Sequence, residues 1–210
     1  MKSFAEDRME ERKGMVFSDE ALMSLVTKGE DTAFMELVKR YQNEVFRFCY
    51  HYLKNVDMAK EAVQEVFLRV YIAKERYDTN KKFKPWLFCI ARNLCINEIK
   101  RQQLVQFTSL ENEDGLKVYE TEEVVEKIEG GDNDPAEIIL KEERHRVLWE
   151  EINRLPESEK EIVILRYFQK LHARDIAEIL GSTEGAVRTK LHRTLKYLYQ
   201  KIASRGEFND

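Results

Sequence analysis

The stretch HARDIAEILGSTEGAVRTKLHRTLKYLYQKI, residues 172–202, reads as two helices joined by a tight turn. The first runs from Ala173 to Leu180 and stops at Gly181, which supplies the left-handed turn residue that a side chain resists. Ala177 is small where the two helices would cross closely. On the second, from about Glu184 to Ala203, Val187, Leu191, Leu195, Leu198 and Ile202 fall on one stripe at helical spacing. Thr189, Lys190, His192, Arg193 and Lys196 take the opposite arc. The pattern is a helix-turn-helix. Its second helix fits a major groove, where Arg can donate two hydrogen bonds to guanine and Lys can neutralise phosphate. Any solvated helix is basic on one side, but turn, small residue and charge excess together favour DNA binding.

Working outward, the whole chain reads as all-α. Its 210 residues hold only 8 Gly and 3 Pro, too few for the turns of an all-β sandwich or barrel. Ser18-Asp19 starts a first helix that stops near Gly29, and Asp31 is placed to cap a second. The second carries Phe34, Leu37, Val38, Tyr41, Val45, Phe48, Cys49 and Tyr52 on one stripe. Asn55 and Asp57 break and restart the chain into a third helix over about 58–75, and Pro85 suits the first position of a fourth. Farther on, Asp134-Pro135 starts a helix that ends at Leu155-Pro156, and Ser158 with Glu161 reads as a capping box.

Net charge becomes informative once it is divided. The total is −4, yet residues 111–137 hold 11 acidic and 2 basic side chains, leaving the rest of the chain at +5. That acidic segment, with Gly130-Gly131 and Asp132-Asn133-Asp134, predicts a self-repelling flexible linker between two small helical domains. The basic excess concentrates in 80–103 and 182–205. Local fields of this kind guide binding to phosphates.

Two faces of the first domain have more than a core to explain. On the third helix, DMAKEAVQEVFLRVY at 57–71, Ala59, Ala62, Val63, Val66, Phe67 and Val70 form the core stripe. Glu61, Gln64, Glu65 and Arg69 occupy the outer arc with Leu68 and Ile72 among them, an apolar centre rimmed by charge that suits a docking partner. On the fourth helix Leu87, Ile90, Ala91, Leu94 and Cys95 face inward, while Arg92, Asn93, Asn97 and Lys100 face out. Tyr77, Phe83 and Trp86 are interleaved with Lys81, Lys82 and Lys84, as single-strand stacking beside phosphate contacts requires. The alternative is that Phe83 and Trp86 cap the bundle core. Glu98 falls inside the apolar stripe with no sequence-level account.

Other classes receive no support. The longest run without Asp, Glu, Lys or Arg is nine residues, Gln102 to Leu110, too short to span a membrane. The acid-containing N-terminus does not read as a secretory signal. Cys49, Cys89 and Cys95 read as reduced core thiols, which points to the cytosol. His51, His145, His172 and His192 have no Cys or acid at metal-ligand spacing, and no Gly-rich phosphate loop occurs. Neither a catalytic set, a metal site nor a cofactor is expected.

In their order, DMAKEAVQEVFLRVY, FKPWLFCIARNLCINEIKRQ and LPESEKEIVILRYFQKLHARDIAEILGSTEGAVRTKLHRTLKYL resemble the extracytoplasmic-function class of bacterial RNA polymerase sigma factors. The likeness covers about residues 18–103 and 136–203. It implies an N-terminal extension 1–17, a region 2-like domain 18–103, a linker 104–134, a region 4-like domain 135–205 and a tail 206–210. It further implies that Asp57, Glu61, Gln64, Glu65, Leu68 and Ile72 grip core RNA polymerase, whose largest and second-largest subunits would be the partners. Tyr77, Asn80, Lys81, Lys82, Phe83, Lys84, Trp86, Arg92, Asn93, Asn97 and Lys100 would handle the melted −10 element, with loop 76–84 capturing a flipped base. Glu184, Gly185, Arg188, Thr189, Lys190, His192, Arg193 and Lys196 would read the −35 duplex, with Lys190 and Lys196 on phosphates. An anti-sigma factor is the further partner implied, able to hold a cytoplasmic protein at the membrane. Lys60 stands where the family usually has an acid, and His192 is a less common choice at its position. Two rivals remain open on the residues alone: a stand-alone helix-turn-helix regulator, and a helical interaction protein that binds no DNA.

Overall fold

The computed structural model describes residues 17–109 and 147–204, and the chain divides into two compact units, Met1–Gln103 and Leu104–Asp210. All regular structure among the described residues is helical. Residues 1–16, the acidic segment 111–137 and the helix start expected at Asp134-Pro135 lie outside the described residues.

In the first unit, α1 (Asp19–Val26) is capped by Ser18, whose hydroxyl accepts from the Ala21 N–H at 3.2 Å. It buries Leu22, Met23 and Val26. Asp19 fastens it to α2 (Asp31–Leu53), accepting from Arg40 Nη1 at 2.9 Å and from the Tyr41 hydroxyl. Helix α2 buries Leu37, Tyr41, Val45, Phe48 and Cys49 of the stripe expected from its periodicity, together with Ala33 and Leu53, while Phe34, Val38 and Tyr52 of that stripe are half-buried. Asp31 is its first residue, not its cap; the cap position is Glu30, and the Asp31 carboxylate instead accepts from the Tyr71 hydroxyl at 3.0 Å. The helix ends at Lys54 in the left-handed conformation.

Asn55 then caps α3 (Val56–Ile72), accepting from the Met58 N–H at 2.9 Å. Helix α3 buries Ala59, Ala62, Val66, Phe67 and Val70, with Phe67 and Tyr71 edge-on to Phe34 of α2. After a 3₁₀ turn at Lys74–Arg76, α4 covers Phe83–Ser109. It starts two residues before Pro85, because Glu20 of α1 accepts from the Phe83 N–H at 3.1 Å and so completes a helix end that a proline would otherwise mark. It also continues past the boundary expected at 103. Phe88 packs edge-on to Phe48 at 5.1 Å and is fully buried. Cys49 and Cys95 are buried free thiols that hydrogen-bond each other, an arrangement that, with burial, pushes the Cys49 thiol up.

The second unit begins with the described part of α5, residues 147–153. Helix α6 (Glu157–Val163) runs into a π-helical turn, Ile164–Phe168. No capping box forms at Ser158. Pro156 holds the cap position, so Ser158 lies inside the first turn and its hydroxyl accepts from Lys190 Nζ at 3.2 Å instead. The wider turn sets Phe168 against Trp149 at 4.5 Å while Ile164 and Leu165 stay buried. Helices α7 (Ala173–Leu180) and α8 (Glu184–Ser204) follow, and Ile152, Leu155, Val163 and Leu198 form a core cluster with Leu148, Trp149, Phe168 and Leu191 against it.

Candidate nucleic-acid and partner interfaces

The α7–α8 turn has the expected chemistry. Gly181 adopts φ 61°, and the Ser182 N–H closes the end of α7 on the Ala177 carbonyl at 2.9 Å. Thr183 then caps α8, its hydroxyl accepting from the Ala186 N–H at 3.2 Å. Val187 and Leu198 are buried, which turns Arg188, Thr189, His192, Arg193 and Lys196 outward as exposed residues. They are not equivalent. Glu184 holds Arg188 through Nε at 3.0 Å and Nη2 at 2.5 Å. The Thr189 hydroxyl donates back to the Gly185 carbonyl at 2.9 Å, and half-buried Lys190 leans on Ser158. Thr194, absent from the expected stripe, is 1% exposed and donates to the Lys190 carbonyl at 2.9 Å. A helical wheel puts it beside Val187, a signal that the basic residues around it obscure.

Helix α3 presents the expected outer ridge. Leu68 is 52% and Ile72 73% exposed, although both are large and apolar. Around them stand exposed Glu61 and Gln64, with Glu65 paired to Arg69 at 2.6 Å. Asp57, at the start of the same helix, is exposed and 3.7 Å from Lys60. Glu98 of α4 now has its account. Arg101 grips it through Nη2 at 2.7 Å and Nε at 3.0 Å, and this bond, working against partial burial, holds the carboxyl below its ordinary range.

The loop before α4 requires correction. Phe83 is fully buried and Tyr77 is 6% exposed, so as placed neither ring is available to stack on a base. They pack on each other at 6.2 Å and on Trp86 at 6.1 and 4.9 Å, closing the end of the bundle core. Lys84 is likewise turned inward, paired with Glu44 at 2.6 Å and lying 5.7 Å over the Tyr41 ring. An aromatic or a lysine at this spacing serves core and ligand equally well in sequence, and burial decides between them. Asn80, Lys81 and Lys82 remain exposed at the loop tip. Half-buried Trp86 and exposed Asn93, Asn97 and Lys100 continue along one side of α4 at helical spacing, with half-buried Arg92 adjoining.

Among the described residues, no group of three or more His, Cys, Asp or Glu side chains could hold a metal ion, and no helix is long and apolar enough to cross a membrane.

Comparison with known proteins agrees in both units. The family model for Sigma-70 region 2 matches residues 37–105, and that for Sigma-70, region 4 matches residues 145–198. The chain is 30% identical to the ECF RNA polymerase sigma factor SigW of Bacillus subtilis, over 84% of this chain and 92% of that protein. It is 32% identical to the ECF RNA polymerase sigma-E factor of Haemophilus influenzae, over 88% and 95%. Among solved structures, its fold is similar to that of CnrH in complex with the cytosolic domain of CnrY, with a TM-score of 0.60 at 18% identity over 90% of this chain and 99% of that one. It is also similar to that of the sigma factor RpoE in complex with the anti-sigma factor NepR from Bartonella quintana, with a TM-score of 0.58 at 18% identity over 81% and 96%.

Proposed function

The chain belongs to the extracytoplasmic-function RNA polymerase sigma factors, and on that premise we propose that it binds core RNA polymerase and directs it to specific promoters. The observation that carries the reading is the α3 ridge, where Leu68 and Ile72 stand in solvent between acids. A stand-alone helix-turn-helix regulator has no use for such a ridge, whereas a docking partner buries it. On this reading Asp57, Glu61, Gln64, Glu65, Leu68 and Ile72 meet the polymerase. The exposed arc of α8 reads the −35 duplex, and loop 78–82 with the Trp86, Asn93, Asn97 and Lys100 side of α4 receives the unstacked −10 strand.

The protein's work is binding rather than bond-making. Extracting a base from the stack costs a few kcal/mol, which polymerase and strand contacts together must offset. Free protein therefore binds promoter duplex weakly. The place of action is the cytoplasm, with an anti-sigma partner, itself membrane-held, as the means of control. The domain limits follow as proposals: 18–103 for polymerase and −10 element, 104–134 as tether, and 135–205 for the −35 element.

Gel filtration with bacterial core polymerase, followed by initiation assays on a promoter library, tests the reading. Co-elution with new, sequence-selective transcripts is expected. Tight duplex binding without polymerase, and no co-elution, would move the regulator reading ahead.

Arg193→Ala gives a finer test, because Arg193 is exposed on the reading arc. Loss of a two-pronged base contact should cost ~1–3 kcal/mol of binding and relax preference at one base pair. The measurement is holoenzyme affinity across single-base variants of the −35 site. A uniform loss over all of them would make Arg193 a phosphate contact.

A further inference from the structure

Loop 78–82 is basic and exposed, yet it is braced from within. Beneath it lies the Tyr77 ring, packed on Trp86 and Phe83. From there the Tyr77 hydroxyl donates to the Lys81 carbonyl at 2.5 Å, at the fourth of the loop's five residues. The Lys81 N–H bonds to the Asp78 carbonyl at 2.9 Å, and the Asp78 carboxylate accepts from the Asn80 N–H at 3.0 Å and from its side-chain amide at 3.1 Å. Glu20 fixes the far end through the Phe83 N–H. Burial, with Glu20 and Asp19 nearby, pushes the Tyr77 hydroxyl up, so it stays a proton donor throughout the neutral range. A segment tied across its own turn and at its end has little conformational freedom left to lose when a ligand arrives.

We infer that Tyr77 and Glu20 are positioning residues, which hold loop 78–82 in its base-capturing shape before DNA binds. The inference rests on the −10 role proposed above. Neither side chain touches the base. Tyr77 sets the Lys81 carbonyl and so the direction of the exposed Asn80, Lys81 and Lys82 tip, while Glu20 anchors that tip to α1.

Holoenzymes carrying wild-type protein, Tyr77→Phe, Glu20→Ala or Glu20→Gln test this, with single-stranded oligonucleotides varied base by base through the −10 element. Tyr77→Phe keeps the ring and its packing and removes the hydroxyl alone. Its ratio of preferred to other bases at the captured position should fall about fivefold, the scale of one hydrogen bond. Glu20→Ala should fall similarly, and Glu20→Gln should recover, since its amide oxygen still accepts from Phe83. Variants that discriminate as well as wild type would overturn the inference. So would equal weakening of every oligonucleotide, which is the mark of a merely structural role. If wild-type holoenzyme discriminates at no −10 position, the −10 reading itself fails and the inference fails with it.

Discussion

Protein carrying Glu65→Lys is expected to elute apart from core RNA polymerase while keeping the helical content of the parent. The fold has little stake in this carboxylate. It is half-exposed, and its partner Arg69 is itself about half in solvent. Placing two cations at that i,i+4 spacing costs the isolated helix only about 0.2–0.5 kcal/mol. The docking surface has much more at stake. Glu65 is one turn from Leu68, and closing a partner over that apolar centre excludes water from the charges at its edge. Reversing a charge there costs ~2 kcal/mol or more, about 30-fold in affinity. Titration of labelled core polymerase with parent and variant, with far-UV circular dichroism alongside, reads both quantities. Equal affinities would remove the α3 ridge from the polymerase-binding surface.

The second large effect is on stability. Phe88→Ala should cost the first unit ~3–5 kcal/mol, because the ring is fully buried and its removal leaves a cavity that the surroundings fill only in part. The edge-on pair with Phe48 accounts for about 0.5–1.5 kcal/mol of that. At roughly 4 °C per kcal/mol for a unit of this size, the transition should fall by about 12 °C or more. The two tryptophans allow the units to be followed separately, since Trp86 lies in one and Trp149 in the other. In a Trp149→Phe background the Trp86 signal should move by that amount. In a Trp86→Phe background the Trp149 signal should not move. A shift of less than about 2 °C in the first case would show that the Phe48–Phe88 contact contributes little.

Phe88 also shows where the sequence was hard to read. Periodicity picked out Leu87, Ile90, Ala91, Leu94 and Cys95 of α4, all of them buried except half-buried Ile90, but Phe88 lies to one side of that stripe. Helix α4 is covered over a wider arc than one apolar face predicts, and only the neighbouring helices reveal it. The same limit explains loop 76–84. Tyr77, Phe83 and Lys84 have the composition of a nucleic-acid surface, yet Glu20, Glu44 and Tyr41, more than 35 residues away in sequence, draw them inward. By contrast, Leu68 and Ile72 were legible because they broke a local rule: large apolar residues in a polar arc stay exposed unless the fold covers them, and this fold does not. The helix-turn-helix was legible for the opposite reason. Its glycine, small residue and apolar stripe all act within about 30 residues of chain, so local chemistry and tertiary structure agree.

Helix α8 divides its duties by side, and that division bears on how such a protein diverges. Val187, Thr194 and Leu198 hold the unit together, so drift at those positions is penalised as unfolding whatever DNA is read. Arg188, Thr189 and Lys190 each bond to the protein itself, so changing one also disturbs a local contact. His192, Arg193 and Lys196 are exposed and make no side-chain hydrogen bond or ion pair with any described residue. After gene duplication these three could be exchanged at almost no cost to folding. A daughter lineage would then acquire a new set of target genes first through 192, 193 and 196, and only later through the tethered positions.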